Sequence, residues 1–253
     1  MNFNMKFSSL ASGSTGNCYL LEGHETKILF ECGIPIKKIS QGLNHKLHQV
    51  DALFVSHKHL DHCKSLFEVA SKGVEVHALT ETLKGFPKHH RYHSLKFRNT
   101  QAGRSYAPIK VGTEFTVYPL PVDHDVENCA FMVYSHFSGE KLLFLIDTYF
   151  CEFRFTGITH FCVECNYSSE ILRQKVESDS IAKKYADRIY KSHFSLENLC
   201  KFFKANDLSS CKEINLMHMS NTNGNADLFR NTIEKQTGKT VNVCAVNGGY
   251  FDR

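Results

Sequence analysis

Apolar residues in this chain gather in short runs, each closed by Gly, Pro, Asp or His. Such runs cover Lys27–Glu31, Ala52–Ser56, Val74–Leu79, Glu114–Leu120, Cys129–Ser135, Lys141–Asp147, His160–Cys165, Glu213–His218 and Val241–Val246. Their length and their β-branched and aromatic content predict strands. Helical periodicity falls elsewhere. It covers Ser168–Ile189, which opens on a Ser pair with Glu170 in its first turn, then Ser195–Ala205, then Asn225–Thr237, which stops before Gly238. Shorter helices are predicted over Lys64–Lys72 and Thr80–Lys84. The chain has no internal repeat, low-complexity tract or long linker. Its 253 residues therefore predict one α/β domain over 1–253, with sheets buried beneath outer helices.

Composition narrows the setting. Hydrophobic residues make up 42% and charged residues 22%, ordinary values for a soluble globular protein. No apolar run approaches the ~20 residues needed to span a bilayer; the longest, around Leu142–Ile146, is strand-sized. The N-terminal stretch lacks a signal-peptide apolar core, so no membrane partner and a cytoplasmic location are expected. The ten cysteines sit in apolar segments (Cys129, Cys151, Cys162, Cys244) and read as reduced core residues. Cys162 and Cys165 form a lone CxxC without the second pair of a zinc knuckle.

A net charge of +4 demands no polyanionic partner, but its distribution is uneven. From Lys84 to Lys110 there are seven Lys or Arg and no Asp or Glu, with Phe86, Tyr92, Phe97 and Tyr106 interleaved. Such a stretch suits a phosphate backbone, with Lys88 and Arg91 among the contacts. It equally suits a solvated surface insertion.

The strongest chemical signal is Ser56-His57-Lys58-His59-Leu60-Asp61-His62, directly after the apolar run Ala52–Val55. The spacing does not fit one helix face, so a loop leaving a strand is expected to bring these side chains together. His and Asp are ligands for zinc, manganese and iron. Further ligand types stand where strands should stop: His124 after Tyr118–Asp123, Asp147 after Leu142–Ile146, His218 after Ile214–Met217. An Asp closing so apolar a strand is costly unless paired or metal-bound.

HxHxDH, then a His, a strand-end Asp-Thr and a strand-end His resemble the metallo-β-lactamase fold over essentially the whole chain. The resemblance implies a four-layer αββα sandwich with two divalent metal ions, Zn²⁺ or Mn²⁺, at one edge. It implies His57, His59 and His124 on one metal, Asp61, His62 and His218 on the other, and Asp147 bridging. Ser9–Tyr19, Glu164-Cys165-Asn166-Tyr167 and His218-Met219-Ser220 are similar to WalJ/YycJ-like proteins, which are associated with DNA exonuclease activity. Many phage and prophage proteins share this arrangement. Lys191–Ser195 departs from the pattern, with Ser192 where a Gly usually precedes the His.

Two adjacent metals can hold a hydroxide and polarise a phosphodiester. Asp61 is expected to take or orient a proton. His193 is expected to protonate the leaving oxygen, oriented by Glu164. The small residues of Ser12–Asn17 read either as an anion-binding loop or as a tight hairpin. Ser14, Asn17 and Ser195 are the remaining candidate substrate contacts. The leading expectation is a nuclease acting on nucleic-acid ends. The alternative is a cyclic-nucleotide phosphodiesterase of the phage anti-Pycsar type, whose closed pocket a homodimer would complete. A lactam or thioester hydrolase would need neither His193 nor a basic surface. A silent binding module would not need the full ligand set.

Overall fold

The structure is a computed structural model that describes residues 4–100 and 103–252; the side chains of residues 97–104 lie outside the description. The first sheet holds, side by side, β1 (Lys6–Ala11), β2 (Cys18–Glu22), β3 (Lys27–Phe30), β4 (Ala52–Val55), β5 (Glu75–Ala78) and β6 (Tyr92–Ser94). A hairpin of β7 (Phe97–Thr100) and β8 (Gly103–Tyr106) follows. The second sheet is ordered β15 (Thr240–Val243), β14 (Glu213–Met217), β13 (His160–Glu164), β12 (Lys141–Leu145), β11 (Asn128–Ser135), β10 (Phe115–Val122) and β9 (Ile109–Val111). In each sheet one half is antiparallel and the other parallel.

The two sheets face each other across an aromatic core. Phe30 stacks on Phe144 with centroids 4.6 Å apart, and Phe54 meets Phe131 edge-on at 5.4 Å. The outer face of the first sheet is covered by α1 (Ile36–Gly42) and α3 (Leu66–Ser71), which bury Ile39, Leu66 and Val69. The second is covered by α7 (Leu196–Lys204) and α8 (Ala226–Thr237), which bury Leu199, Phe203, Phe229 and Ile233. The result is the four-layer αββα sandwich. Two short helical segments, α2 (Leu60–Cys63) and α4 (Thr80–Leu83), and a helical pair, α5 (Ser169–Glu177) and α6 (Lys183–Ser192), complete the chain.

All nine anticipated strands are present, mostly trimmed at their ends. The trimming is informative. Glu31, Asp147 and His218, the polar residues that close three of the runs, have φ of 61°, 51° and 51°. Such left-handed backbone in non-glycine residues is uncommon and turns each side chain out of the ladder. Asn225 caps α8 through Leu228 N–H at 2.9 Å, and left-handed Gly238 (φ 65°) ends it.

One expected helix is corrected. Ser168–Ile189 is two helices, broken at Ser178–Ala182, where Asp179 has φ 53°. The run Ser178-Asp179-Ser180 supplies side chains that compete with helical backbone bonding. Nor does the Ser168 side chain cap α5; the Glu197 carboxylate accepts from Ser169 N–H instead, at 3.1 Å. Every cysteine is a free thiol, and Cys162 and Cys165 point into different cores, so CxxC forms no knuckle. No helix among the described residues is long and apolar enough to cross a membrane.

Phe144 lies where Tyr19, Phe30 and Phe131 meet. Phe144→Ala should lower stability by about 3–5 kcal/mol, measured by denaturant unfolding; a loss under about 1 kcal/mol would contradict this account of the inter-sheet core.

Candidate metal centre

The parallel strands of both sheets run toward one edge, and most ligand-type residues stand at or just beyond a strand end there. Glu31 follows β3, and Ser56 and His57 follow β4. His124 follows β10, Asp147 follows β12, Glu164 ends β13 and His218 follows β14. In open parallel sheets this carboxyl edge is where side chains from several strands converge.

His57 Nε2 lies 3.0 Å from His59 Nδ1, which lies 3.3 Å from His124 Nε2. Bonds of about 2.0–2.1 Å to one tetrahedral zinc would set nitrogen ligands about 3.3–3.4 Å apart, close to these spacings. His124 Nδ1 donates to Ser192 O at 2.9 Å, which leaves Nε2 as the atom facing His59. His57 Nδ1 is 2.9 Å from Ser56 Oγ.

A second group lies beside it. Asp61 Oδ2 is 3.4 Å from His62 Nε2 and 3.6 Å from His218 Nε2. Asp147 joins the groups: its Oδ2 is 3.6 Å from His57 Nε2, 3.7 Å from His124 Nε2 and 3.3 Å from His62 Nε2. Asp147 Oδ1 and His218 Nδ1 are 2.5 Å apart but misaligned, so neither has a hydrogen-bond partner among the described residues, and His218 Nε2 also has none. Buried polar atoms are rarely left this way. These orphaned atoms and the crowded ring nitrogens fit a site built for cations.

Electrostatics agree. Burial holds His57 and His59 below the usual imidazole range. Burial also opposes charging His62 and His218, but Asp147 and Asp61 outweigh it and raise both. Burial would push Asp61 and Asp147 up, yet the surrounding imidazoles hold both carboxyls low. His62 and His218 and the two carboxylates thus favour one another's charged forms, a balance that a bound cation would take over.

Beside this set, His193 Nδ1 lies 2.6 Å from Glu164 Oε1. Glu164 is fully buried, and its Oε2 accepts from Thr148 and Phe194 N–H, each at 3.1 Å. Burial raises the Glu164 carboxyl, but His193 outweighs it and holds it low; in return Glu164 overcomes burial and raises His193. His193 lines a cleft of about 450 Å³ together with Ser14, His59, Asp61, His124, Asp147 and His218.

Several sequence expectations change. Asp61 and His62 ride on one helical turn, α2, rather than on an irregular loop. Ser12–Asn17 is a hairpin connection between β1 and β2, with exposed Ser14 on the cleft. Asn17, a candidate substrate contact from sequence, lies beneath this loop. It is buried, and its amide bonds Gly13 N–H and O and, at 3.2 Å, Asp61 O, so it braces α2. Ser12 Oγ likewise accepts from His218 N–H at 2.9 Å. Ser195 is the buried N-cap of α7, accepting from Asn198 N–H at 3.1 Å.

Arg91 and Lys88 do not reach the centre. Arg91 pairs with Glu75, which lies in register with Ala52, five residues before His57. Five residues of strand rise are about 16 Å. Lys88 lines a separate groove with Phe86, His89 and Tyr92. The side chains of Arg98 and Arg104 lie outside the described residues.

Sequence reading missed Glu31 and Asp125. Fully buried Glu31 accepts from Ser56 N–H at 3.1 Å and stands 3.5 Å from His62 Nδ1. Its signal, an acid closing an apolar strand, was the one that marked Asp147. Asp125 Oδ1 is 3.4 Å from His59 Nε2, and only its place beside His124 hinted at it.

Comparison with known proteins agrees with this geometry. The metallo-beta-lactamase superfamily model matches residues 11–148. The chain is 28% identical to exodeoxyribonuclease WalJ of Streptococcus pneumoniae (strain D39), covering 98% of this chain and 93% of that protein. It is 26% identical to exodeoxyribonuclease YycJ of Bacillus anthracis, covering 91% and 88%. Among solved structures it resembles the metallo-beta-lactamase fold protein YhfI from Bacillus subtilis (TM-score 0.70, 16% identity, 98% of each chain). It also resembles the short form of human tRNase Z (TM-score 0.64, 15% identity, 97% and 98%). At these identities the two structures speak for the fold.

A Cβ at Gly33 would stand 1.7 Å from Asp61 O and 2.7 Å from His62 N. Gly33→Ala must therefore displace the backbone of α2 and should cost about 1–3 kcal/mol or more. A thermal melt checks this; an unchanged Tm would contradict the packing of α2 against Gly33.

Proposed function

The chain belongs to the metallo-β-lactamase superfamily, and from that premise we propose that it hydrolyses phosphodiester bonds at nucleic-acid ends, with residues 1–253 acting as one domain. It is a metal-dependent hydrolase. The observation that carries the reading is the position of Asp147 Oδ2, within 3.7 Å of ring nitrogens of both ligand groups and beside the His193–Glu164 pair. Two divalent ions, Zn²⁺ or Mn²⁺, held by His57, His59 and His124 and by Asp61, His62 and His218 with Asp147 common to both, would supply an acidified water and positive charge for the phosphoryl oxygens.

The chain's own groups do the rest. Asp61, partly exposed to the cleft, orients a proton of the attacking water. His193, with Nδ1 committed to Glu164, turns Nε2 toward the cleft and protonates the leaving oxygen. Glu164 holds that ring in place and favours its charged form. The preference for nucleic acid is supported by two relatives named exodeoxyribonucleases that align over nearly the whole chain.

The test is a hydrolysis panel in Mn²⁺ and in Zn²⁺: 5′- and 3′-labelled single- and double-stranded DNA, RNA, cyclic mononucleotides and bis-p-nitrophenyl phosphate. Nucleotides released from DNA ends are expected. Cleavage of cyclic mononucleotides with intact DNA would replace this reading with the cyclic-nucleotide one.

His193→Ala should lower kcat on DNA by about 10²–10⁴-fold. The loss on bis-p-nitrophenyl phosphate should be far smaller, because nitrophenolate leaves without protonation. Equal losses on both substrates would show that His193 does not serve the leaving group.

A further inference from the structure

One face of the cleft belongs to neither ligand group and carries exposed aromatic, apolar and cationic side chains. Helix α6 is anchored from below by Ala186 and Ile189, which pack with Tyr167 and Leu172 in a small cluster of their own. Its outer face presents Tyr185 and Arg188, three residues apart and so neighbours on the helix surface. Both line the metal cleft. Tyr185 is 51% exposed. Leu60 also lines the cleft and is 69% exposed, although it sits between ligand-type residues His59 and Asp61. A leucine so placed contributes nothing to the core.

Arg188 is held rather than free. Its Nη2 is 3.1 Å from Asp125 Oδ2, and Asp125 Oδ1 is 3.4 Å from His59 Nε2. One carboxylate thereby fixes the guanidinium at a set place relative to a ligand of the centre, while 66% of the side chain stays exposed. Lys183, Lys184 and Lys191 on the same helix, against a single acid, Asp187, keep its exposed surface cationic.

We propose that Tyr185, Leu60 and Arg188 form a clamp for the terminal nucleotide of a single strand. The base lies against the Tyr185 ring and the Leu60 side chain, and the guanidinium meets a phosphate next to the scissile one. This rests on the nucleic-acid reading and deepens it by naming the strand form and its contacts. Stacking uses the π-face that every base carries, so the clamp is indifferent to sequence and disfavours a paired end, whose terminal base is already stacked.

The chain contains no Trp, so Tyr185→Trp installs a single reporter. The probes are phosphorothioate-linked single-stranded oligonucleotides, base-bearing or abasic, added to Mn²⁺-loaded protein whose metal content is checked by elemental analysis. Binding is read by anisotropy and stacking by the fluorescence of the introduced indole. The base-bearing strand should quench that indole on saturation and the abasic strand should not. Tyr185→Ala should weaken the base-bearing strand by roughly 5- to 150-fold, the range of one base stack, and the abasic strand little. Arg188→Gln should weaken both and flatten the salt slope by about 0.7. Saturable binding without quenching, or equal weakening of both strands by Tyr185→Ala, would overturn the clamp while leaving the nuclease reading in place. A wild-type protein that neither binds nor cleaves any nucleic acid would overturn that reading itself.

Discussion

Asp147 follows strand β12 against a core of phenylalanine rings, and a carboxylate there is tolerable because His62 and His218 offset its charge. Ring nitrogens of His57, His62, His124 and His218 all approach within 3.7 Å. These residues come from three different strand ends and one helical turn, so the charge on one side chain ties both sheets together at their common edge. An uncompensated buried charge is among the most destabilising features a fold can carry. The loops, the left-handed strand ends and the hairpin over the site all serve to keep this compensation in place.

The hairpin shows how. Ser12 Oγ holds the backbone of His218, and Asn17 holds the backbone of Asp61. The small-residue loop thus fixes the two segments that supply the second ligand group, and glycines allow the close approach: Gly33 leaves no room for a side chain against α2. Ser192 does similar work on His124, and Glu31 stands 3.5 Å from His62 Nδ1. Such partners orient ligand rings and set their tautomers.

Much of this was legible in the sequence. HxHxDH is local, so its spacing alone announced a convergent site. Asp147 and His218 betrayed themselves as polar residues closing apolar runs, and Glu31 could have been found by the same argument. Other features depend on relations the linear pattern does not contain. The backbone bonds of Asn17 and Ser195 were not legible, because hydroxyls and amides near a motif can serve substrate or backbone and the linear pattern does not show burial. The distance of Lys88 and Arg91 from the centre was not legible either, because a charge count ignores strand direction, which carries Arg91 to Glu75, and the grouping of Lys88 in a separate groove. The break between α5 and α6, and hence the face carrying Tyr185 and Arg188, was hidden inside one long periodic run.

The central claim is that Asp147 serves two cations at once. Elemental analysis of protein stripped of metal and reconstituted with Mn²⁺ or Zn²⁺, followed by an anomalous difference map, measures it most directly. The account predicts close to two ions per chain, on either side of Asp147, and loss of both sites together in Asp147→Ala. One ion or fewer at saturation, or ions away from His57 and His218, would contradict it.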